Sequence, residues 1–387
     1  MRKLAIFGST GSVGEKVLEV VRIFPEDFLV KALGVRRNID KVLEQAKEFS
    51  PKYVYVDEPP ESISVSTENL GCEVLTGHEG IVKICNDEEI DTVVVAVDGF
   101  SGVFPTVEAI KGGKRVLTAN KESIFMWGYE IMNLARENNL EVIPLDSEHN
   151  TIFNLVSRVG KENVERYIIT ASGGPFLNKP LQELEKITIS EVMCHPNWKM
   201  GKIVTFNSAT MFNKVLEVFE AHIFFGTSIE DIEVVIHPES RIHSMVLLKD
   251  GTVWTIYYRP DMIFPVASAM FYPRIPRLLD KSVKGESPVG NNIRFLEVDV
   301  SRFPLMSIVK DLQTSERKRR ISLNVANEIC ISLFEDGTIR FNQIPWILMK
   351  VFYDFSPSRD VGISENLKNE MKEVELEVRN FILQFIQ

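Results

Sequence analysis

Apolar runs and helical periodicity alternate through the first third of the chain. Lys3–Ser9 is a short apolar run, and a helical pattern opens at Gly11–Gly14 and continues through Phe24. Phe28–Val35 reads as a second strand, Lys41–Phe49 as a helix and Tyr53–Val56 as a third strand. Thr92–Val97 is wholly apolar, which suits a strand buried on both faces of a parallel sheet. Pro105–Lys111 is helical, Arg115–Ala119 a strand, Ile131–Asn138 helical and Glu141–Leu145 a further strand. This alternation predicts an α/β fold with a doubly wound sheet that ends near Leu145.

The pattern changes at Asp146. Arg166–Ala171, Glu233–His237, Ser244–Leu248 and Val253–Tyr258 alternate in polarity, and Lys249–Thr252 carries a hairpin signal between the last two. An α+β region with an antiparallel-leaning sheet is expected over 146–272. Pro273 to Asn292 is rich in proline and charge and reads as part of a linker over 273–297. Helical patterns at Ser322–Glu335, Gln343–Phe352 and Ile363–Phe385 predict a small helical domain over 298–387. The Arg317–Arg320 run is expected to be a solvated loop or helix end.

Charge narrows the function classes. Lys and Arg number 44 against 54 Asp and Glu, a net charge of −10, which argues against nucleic acid or an anionic membrane as a partner. An anionic small molecule would need a local cluster of donors. Uncharged runs reach only 12 residues, at Tyr167–Asn178 and Met262–Pro273, too short for a membrane span of about 20 residues. The apolar N-terminal stretch is too short for a signal peptide. The scattered Cys72, Cys85, Cys194 and Cys330 show neither a disulfide framework nor thiolate metal spacing. The expectation is a cytoplasmic protein.

Candidate chemistry lies in short segments. Gly8-Ser-Thr-Gly-Ser-Val-Gly14 follows the first strand and opens the first helix, where glycines admit a pyrophosphate to the helix N-terminus. The same spacing also serves ligand-free strand–helix turns. The second strand ends in Arg36-Arg37-Asn38 rather than an acidic residue, so a 2′-phosphate and NADP(H) are favoured over NAD(H). In Asp146-Ser-Glu-His-Asn150, an extended continuation of the strand would put both carboxylates on one side. Oxygen-only ligands favour Mg²⁺ or Mn²⁺, although a DxE pair read alone is more often solvated. Ser172-Gly-Gly-Pro175 suits a phosphate or a hinge. Trp198 and Met200, in the Pro- and Gly-bounded segment His195–Gly201, fit a lid over a substrate better than core. Asn213 and Glu217 share one helix face.

Together these segments closely resemble the 1-deoxy-D-xylulose 5-phosphate reductoisomerase family. The resemblance runs in family order through GSTGSVG, ANKES (Ala119–Ser123), PLDSEHN (Pro144–Asn150), SGGPF (Ser172–Phe176), HPNWKMG (His195–Gly201), NSATMFNKVLE (Asn207–Glu217), IHPESRIHSMV (Ile236–Val246) and LNVANE (Leu323–Glu328). It implies an N-terminal NADPH domain, a central catalytic and dimerisation domain with a flap at 195–201, a C-terminal helical bundle and a homodimer. The implied reaction rearranges 1-deoxy-D-xylulose 5-phosphate and reduces it to 2-C-methyl-D-erythritol 4-phosphate, by a retro-aldol/aldol route or an α-ketol shift. This is a step of non-mevalonate isoprenoid biosynthesis.

The resemblance also implies the residue roles. Thr10, Gly11, Ser12 and Val13 match the pyrophosphate turn. Arg37 and Asn38 match the 2′-phosphate contacts, with Arg36 standing where the family often has glycine. Asn120, Glu122 and Gly201 match further cofactor positions. Asp146, Glu148 and Glu217 match the ligands of a divalent metal, Mg²⁺, Mn²⁺ or Co²⁺. Ser147, Glu148, Ser172, His195, Ser208, Asn213, Lys214 and Glu217 match substrate contacts, and Lys121, Glu148, His195 and Lys214 the catalytic groups. A dehydrogenase of semialdehydes or a homoserine-like substrate would share the cofactor domain but lack the acidic triad and the flap. A catalytically silent NADPH-binding scaffold would be expected to have lost Lys214 or a carboxylate, and all are present.

Overall fold

A computed structural model of the chain describes residues 1–59, 71–194 and 201–386. His195, Trp198 and Met200 therefore lie outside the described residues. In chain order the elements are β1 (Arg2–Phe7), α1 (Ser12–Ile23), β2 (Phe28–Val35), α2 (Ile39–Phe49), β3 (Tyr53–Val56), β4 (Glu73–Thr76), α3 (Gly77–Asn86), β5 (Thr92–Val95), α4 (Val103–Lys111), β6 (Arg115–Thr118), α5 (Lys121–Glu137), β7 (Val142–Pro144) and α6 (Ser147–Val159). They continue with β8 (Val164–Ala171), α7 (Ile189–Val192), α8 (Lys202–Ala209), α9 (Phe212–Phe225), β9 (Ile232–Ile236), β10 (Ile242–Leu248), β11 (Val253–Tyr257), α10 (Ile263–Phe271), α11 (Arg317–Glu335), α12 (Gln343–Asp354) and α13 (Leu367–Ile386).

The chain divides into two units. The first comprises 1–123, 129–150 and 261–285. Its sheet has the order β4-β3-β2-β1-β5-β6-β7, and every pair is parallel. Strand order reverses between β1 and β5, so the crevice outside their carboxyl ends is the expected ligand site of a doubly wound sheet. All four residues of β3 and of β5 are buried, as parallel strands covered on both faces require. Residues 261–285 return to this unit. Phe271 of α10 packs edge-on against Phe24 and Phe28, and Lys16 of α1 pairs with Asp261 at 3.1 Å.

The second unit comprises 124–128, 151–260 and 286–387. Its four-stranded sheet has the order β11-β10-β8-β9. The β10–β11 and β10–β8 pairs are antiparallel and β8–β9 is parallel. The predicted hairpin joins β10 to β11. Helices α11, α12 and α13 match the three helical patterns of the C-terminal region.

Two local expectations need correction. The chain does not stay extended after β7. It turns into α6 at Ser147, and the Asn150 amide bonds to the Asp146 carbonyl at 2.8 Å, so Asp146 and Glu148 are not successive same-face strand residues. Nor is the Arg317–Arg320 run wholly solvated. Arg320 is 3 % exposed, donates to the Phe125 carbonyl at 2.9 Å and lies 4.6 Å over the Phe219 ring. Backbone acceptors and an aromatic face replace the water that a buried guanidinium loses.

Candidate active site

The cofactor half of the site is built at the end of β1. Gly11 is the N-cap of α1, and no side chain caps this helix, so the amides of its first turn are available to an anion. The turn is clamped from α2. Buried Gln45 accepts from Ser9 Oγ at 2.7 Å and donates to the Ser9 carbonyl at 3.1 Å, while Lys41 Nζ donates to the Thr10 carbonyl at 3.2 Å. Sequence reasoning passed over Gln45; its signal is an amide within the apolar stripe that also holds Val42 and Ala46.

At the end of β2, Asn38 caps α2 by accepting from the Lys41 amide. Arg36 and Arg37 stand next to it, and each gives its Nε to one oxygen of Glu58, Arg36 at 2.7 Å. These bonds, Arg36's first, hold the Glu58 carboxyl below the usual carboxylate range. Glu58 is a contact that no motif announced.

Asn120 caps α5 through the Ser123 amide and spends its own amide on the Val97 and Gly99 carbonyls at 2.8 and 2.7 Å, so it ties the loop after β5 to α5. Glu122 is buried and accepts from Asn120 at 3.2 Å. Beyond β7, Lys121 Nζ pairs with Asp146 at 2.6 Å, and Ser147 Oγ donates to Glu148. Carboxylate oxygens of Asp146 and Glu148 lie within 4.8 Å of each other despite the turn into α6. The first unit thus brings Lys121, Asp146, Ser147 and Glu148 together.

The second unit gathers its predicted residues around the end of β8. Ser172 Oγ accepts from the Gly174 amide at 3.1 Å. Gly174 has φ +67, and a Cβ there would sit 2.8 Å from the Ser208 carbonyl, so glycine lets the Ser172 turn meet the end of α8. Gly201 is the N-cap of α8. Met211, left-handed at φ 62, makes the sharp turn from α8 into α9 and is buried with Ala171, Ile236 and Phe303. That turn presents Asn213, Lys214 and Glu217. Lys214 Nζ donates to the Thr170 carbonyl at 2.6 Å and pairs with Glu217, which also accepts from Asn213. The side chains of Lys214 and Glu217 are 5 % and 1 % exposed. A buried ion pair of this kind persists only where each charge keeps a partner.

The family profile described as 1-deoxy-D-xylulose 5-phosphate reductoisomerase matches residues 4–128, and its two C-terminal domain profiles match 142–225 and 259–380. The chain belongs to this family. A curated reductoisomerase of that name from Clostridium perfringens (strain 13 / Type A) is 38 % identical over 97 % of this chain and 98 % of its own. One from Pelodictyon phaeoclathratiforme is 41 % identical over 95 % and 96 %. A crystal structure of DOX-P reductoisomerase in complex with NADPH, fosmidomycin and magnesium superposes with a TM-score of 0.90 at 32 % identity, covering 100 % of this chain and 98 % of that one. The Zymomonas mobilis reductoisomerase in complex with NADPH gives 0.88 at 28 %, covering 100 % and 99 %.

The residues present fit the family's cofactors. An uncapped helix N-terminus and two adjacent guanidiniums suit the pyrophosphate and 2′-phosphate of NADPH. The Asp146–Glu148 pair offers a hard, oxygen-only donor set of the kind Mg²⁺ and Mn²⁺ take. Among the described residues no helix is long and apolar enough to cross a membrane.

Proposed function

We infer that this chain converts 1-deoxy-D-xylulose 5-phosphate to 2-C-methyl-D-erythritol 4-phosphate, with NADPH and a divalent metal, as a step toward isoprenoid precursors. The observation that carries the reading is the whole-length family match, in which every reactive group of the motifs is retained. When bound, NADPH supplies a hydride for an aldehyde and the metal supplies Lewis acidity toward carbonyl and hydroxyl oxygens.

The chain's own residues do the rest. Thr10, Gly11, Ser12 and Val13 hold the pyrophosphate, and Arg37 and Asn38, with Arg36 beside them, hold the 2′-phosphate. On the family resemblance Asp146, Glu148 and Glu217 are assigned as the metal carboxylates. Lys214 supplies fixed positive charge for the substrate phosphate, with Ser172, Ser208 and Asn213 as further donors. Lys121, by its pairing with Asp146, keeps an ammonium beside the reacting hydroxyls. His195, Trp198 and Met200 are assigned to substrate contact and the flap on the family resemblance alone.

Purified protein given substrate, Mn²⁺ and NADPH is expected to consume NADPH and release the methylerythritol phosphate, and EDTA is expected to stop it. No turnover with any of Mg²⁺, Mn²⁺ or Co²⁺ would overturn the reading. In the same assay Arg37→Glu should lower kcat/KM with NADPH by about tenfold or more and leave NADH within about twofold, because only NADPH carries the repelled phosphate. An unchanged ratio would contradict the 2′-phosphate assignment.

The assembly we propose is a homodimer. Supporting it, β11 is an open sheet edge with Val253 and Trp254 about half exposed, and 289–300 exposes Val289, Phe295 and Val300. Sedimentation should give twice the monomer mass of 44.1 kDa; a monomer at micromolar concentration would refute it. Residence in the cytoplasm, which cell fractionation would check, accords with four free cysteines.

A further inference from the structure

We propose that Glu58 is a resident anion in the 2′-phosphate fork, a specificity-determining residue that NADPH must displace and NADH need not. The proposal rests on the reading of NADPH as the cofactor. The placement of Glu58 is set by the sheet. Beyond the paired strands β2 and β3, the Asp57 amide still bonds to the Val35 carbonyl at 3.0 Å and the Glu58 amide to the Arg36 carbonyl at 3.0 Å. The ladder therefore carries Glu58 alongside the two arginines. One carboxylate oxygen takes the Arg36 Nε and the other the Arg37 Nε.

A guanidinium grips phosphate or carboxylate with two parallel N–H groups, and the edge bearing Nε is one such fork. Glu58 occupies that edge on both arginines. Among the described residues neither guanidinium has another side-chain partner. Arg36 and Arg37 side chains are 67 % and 71 % exposed and Glu58 is 36 % exposed, so the contacts are solvated and readily exchanged. A 2′-phosphate brings more negative charge and more acceptor oxygens than a carboxylate and wins the exchange. It then sits beside the displaced carboxylate and is repelled by it. Glu58 thus weakens binding of the phosphorylated dinucleotide while leaving the unphosphorylated one almost untouched.

The test is calorimetric titration of NADPH and NADH into wild type and Glu58→Gln, at low and high salt, with thermal melts as a check on folding. Glu58→Gln should bind NADPH about fivefold more tightly, with a steeper salt dependence, and bind NADH within about twofold of wild type. Unchanged or weaker NADPH binding would overturn the proposal, the latter by showing that Glu58 aligns the arginines. Equal tightening of both dinucleotides would overturn it too, because the effect would not involve the 2′-phosphate. Equal wild-type affinities for NADPH and NADH would refute the cofactor reading and the proposal with it. A wild-type preference for NADPH without a gain in Glu58→Gln would refute the proposal alone.

Discussion

Replacing Glu217 by Gln is expected to lower turnover of 1-deoxy-D-xylulose 5-phosphate by about a thousandfold or more, since metal polarisation contributes several kcal/mol and each 1.4 kcal/mol is about tenfold in rate. Mn²⁺ binding should weaken in parallel, read by the electron paramagnetic resonance of free ion, while NADPH affinity stays within about twofold. The side chain is buried, and its two oxygens already meet Lys214 and Asn213. A neutral amide would take the Glu217 charge away from the Lys214 ammonium, which is buried against the Thr170 carbonyl. Breaking a buried pair in this way costs about 3–5 kcal/mol. Thermal melts therefore accompany the assay, and Glu217→Asp serves as the second variant. It keeps the charge near Lys214 but withdraws the carboxylate by one methylene, so it should fold and still lose most metal affinity and turnover. Wild-type activity in either variant would remove Glu217 from the metal site.

Gly14→Ala is expected to lower the melting temperature and to weaken NADPH binding by more than tenfold. Helix propensity alone predicts the opposite sign, because alanine in a helix is favoured over glycine by about 1 kcal/mol. Contact geometry decides otherwise. A Cβ at Gly14 would lie 2.1 Å from the Gly8 carbonyl oxygen and 2.7 Å from Ser9 Cα. Both are backbone atoms, so no rotamer change relieves the clash, and α1 must move off the loop. Overpacking of this kind costs about 1–3 kcal/mol, and the displaced helix would no longer aim its first-turn amides at the pyrophosphate. Gly11→Ala is the control: its Cβ would sit 3.4 Å from the Gly8 carbonyl, so its melt should stay near wild type. A wild-type melt and NADPH affinity in Gly14→Ala would show that the helix shifts freely and would sink the argument.

Strands β2 and β3 coincide with the ranges that the apolar pattern predicts, because short, largely apolar runs bounded by turn signals suit strands of a sheet covered on both faces. β4 and α3 escaped notice. β4 is an edge strand whose four residues are exposed or half-buried, so it needs no apolar run. The first turns of α5 also escaped, since Lys121, Glu122 and Ser123 are polar yet buried, their start marked only by the Asn120 cap.

By itself the sequence determined the alternation of strand and helix, the glycine turn, the arginine pair and the order of the reactive motifs, all of which depend on neighbours within a few positions. It left undecided which charges are solvated. Arg320 belongs to a run of four basic residues, and only the Phe125 carbonyl and the Phe219 ring make it a buried group. Lys214 meets Glu217 one helical turn away, a spacing visible in the sequence, but its bond to Thr170 depends on β8 ending beside α9. Glu58 follows the third strand without any motif, and the β2–β3 register alone carries it to Arg36 and Arg37. A side chain's charge is written in the sequence; whether that charge meets water, a carbonyl or an opposite charge depends on residues distant along the chain, and only the tertiary structure brings those together.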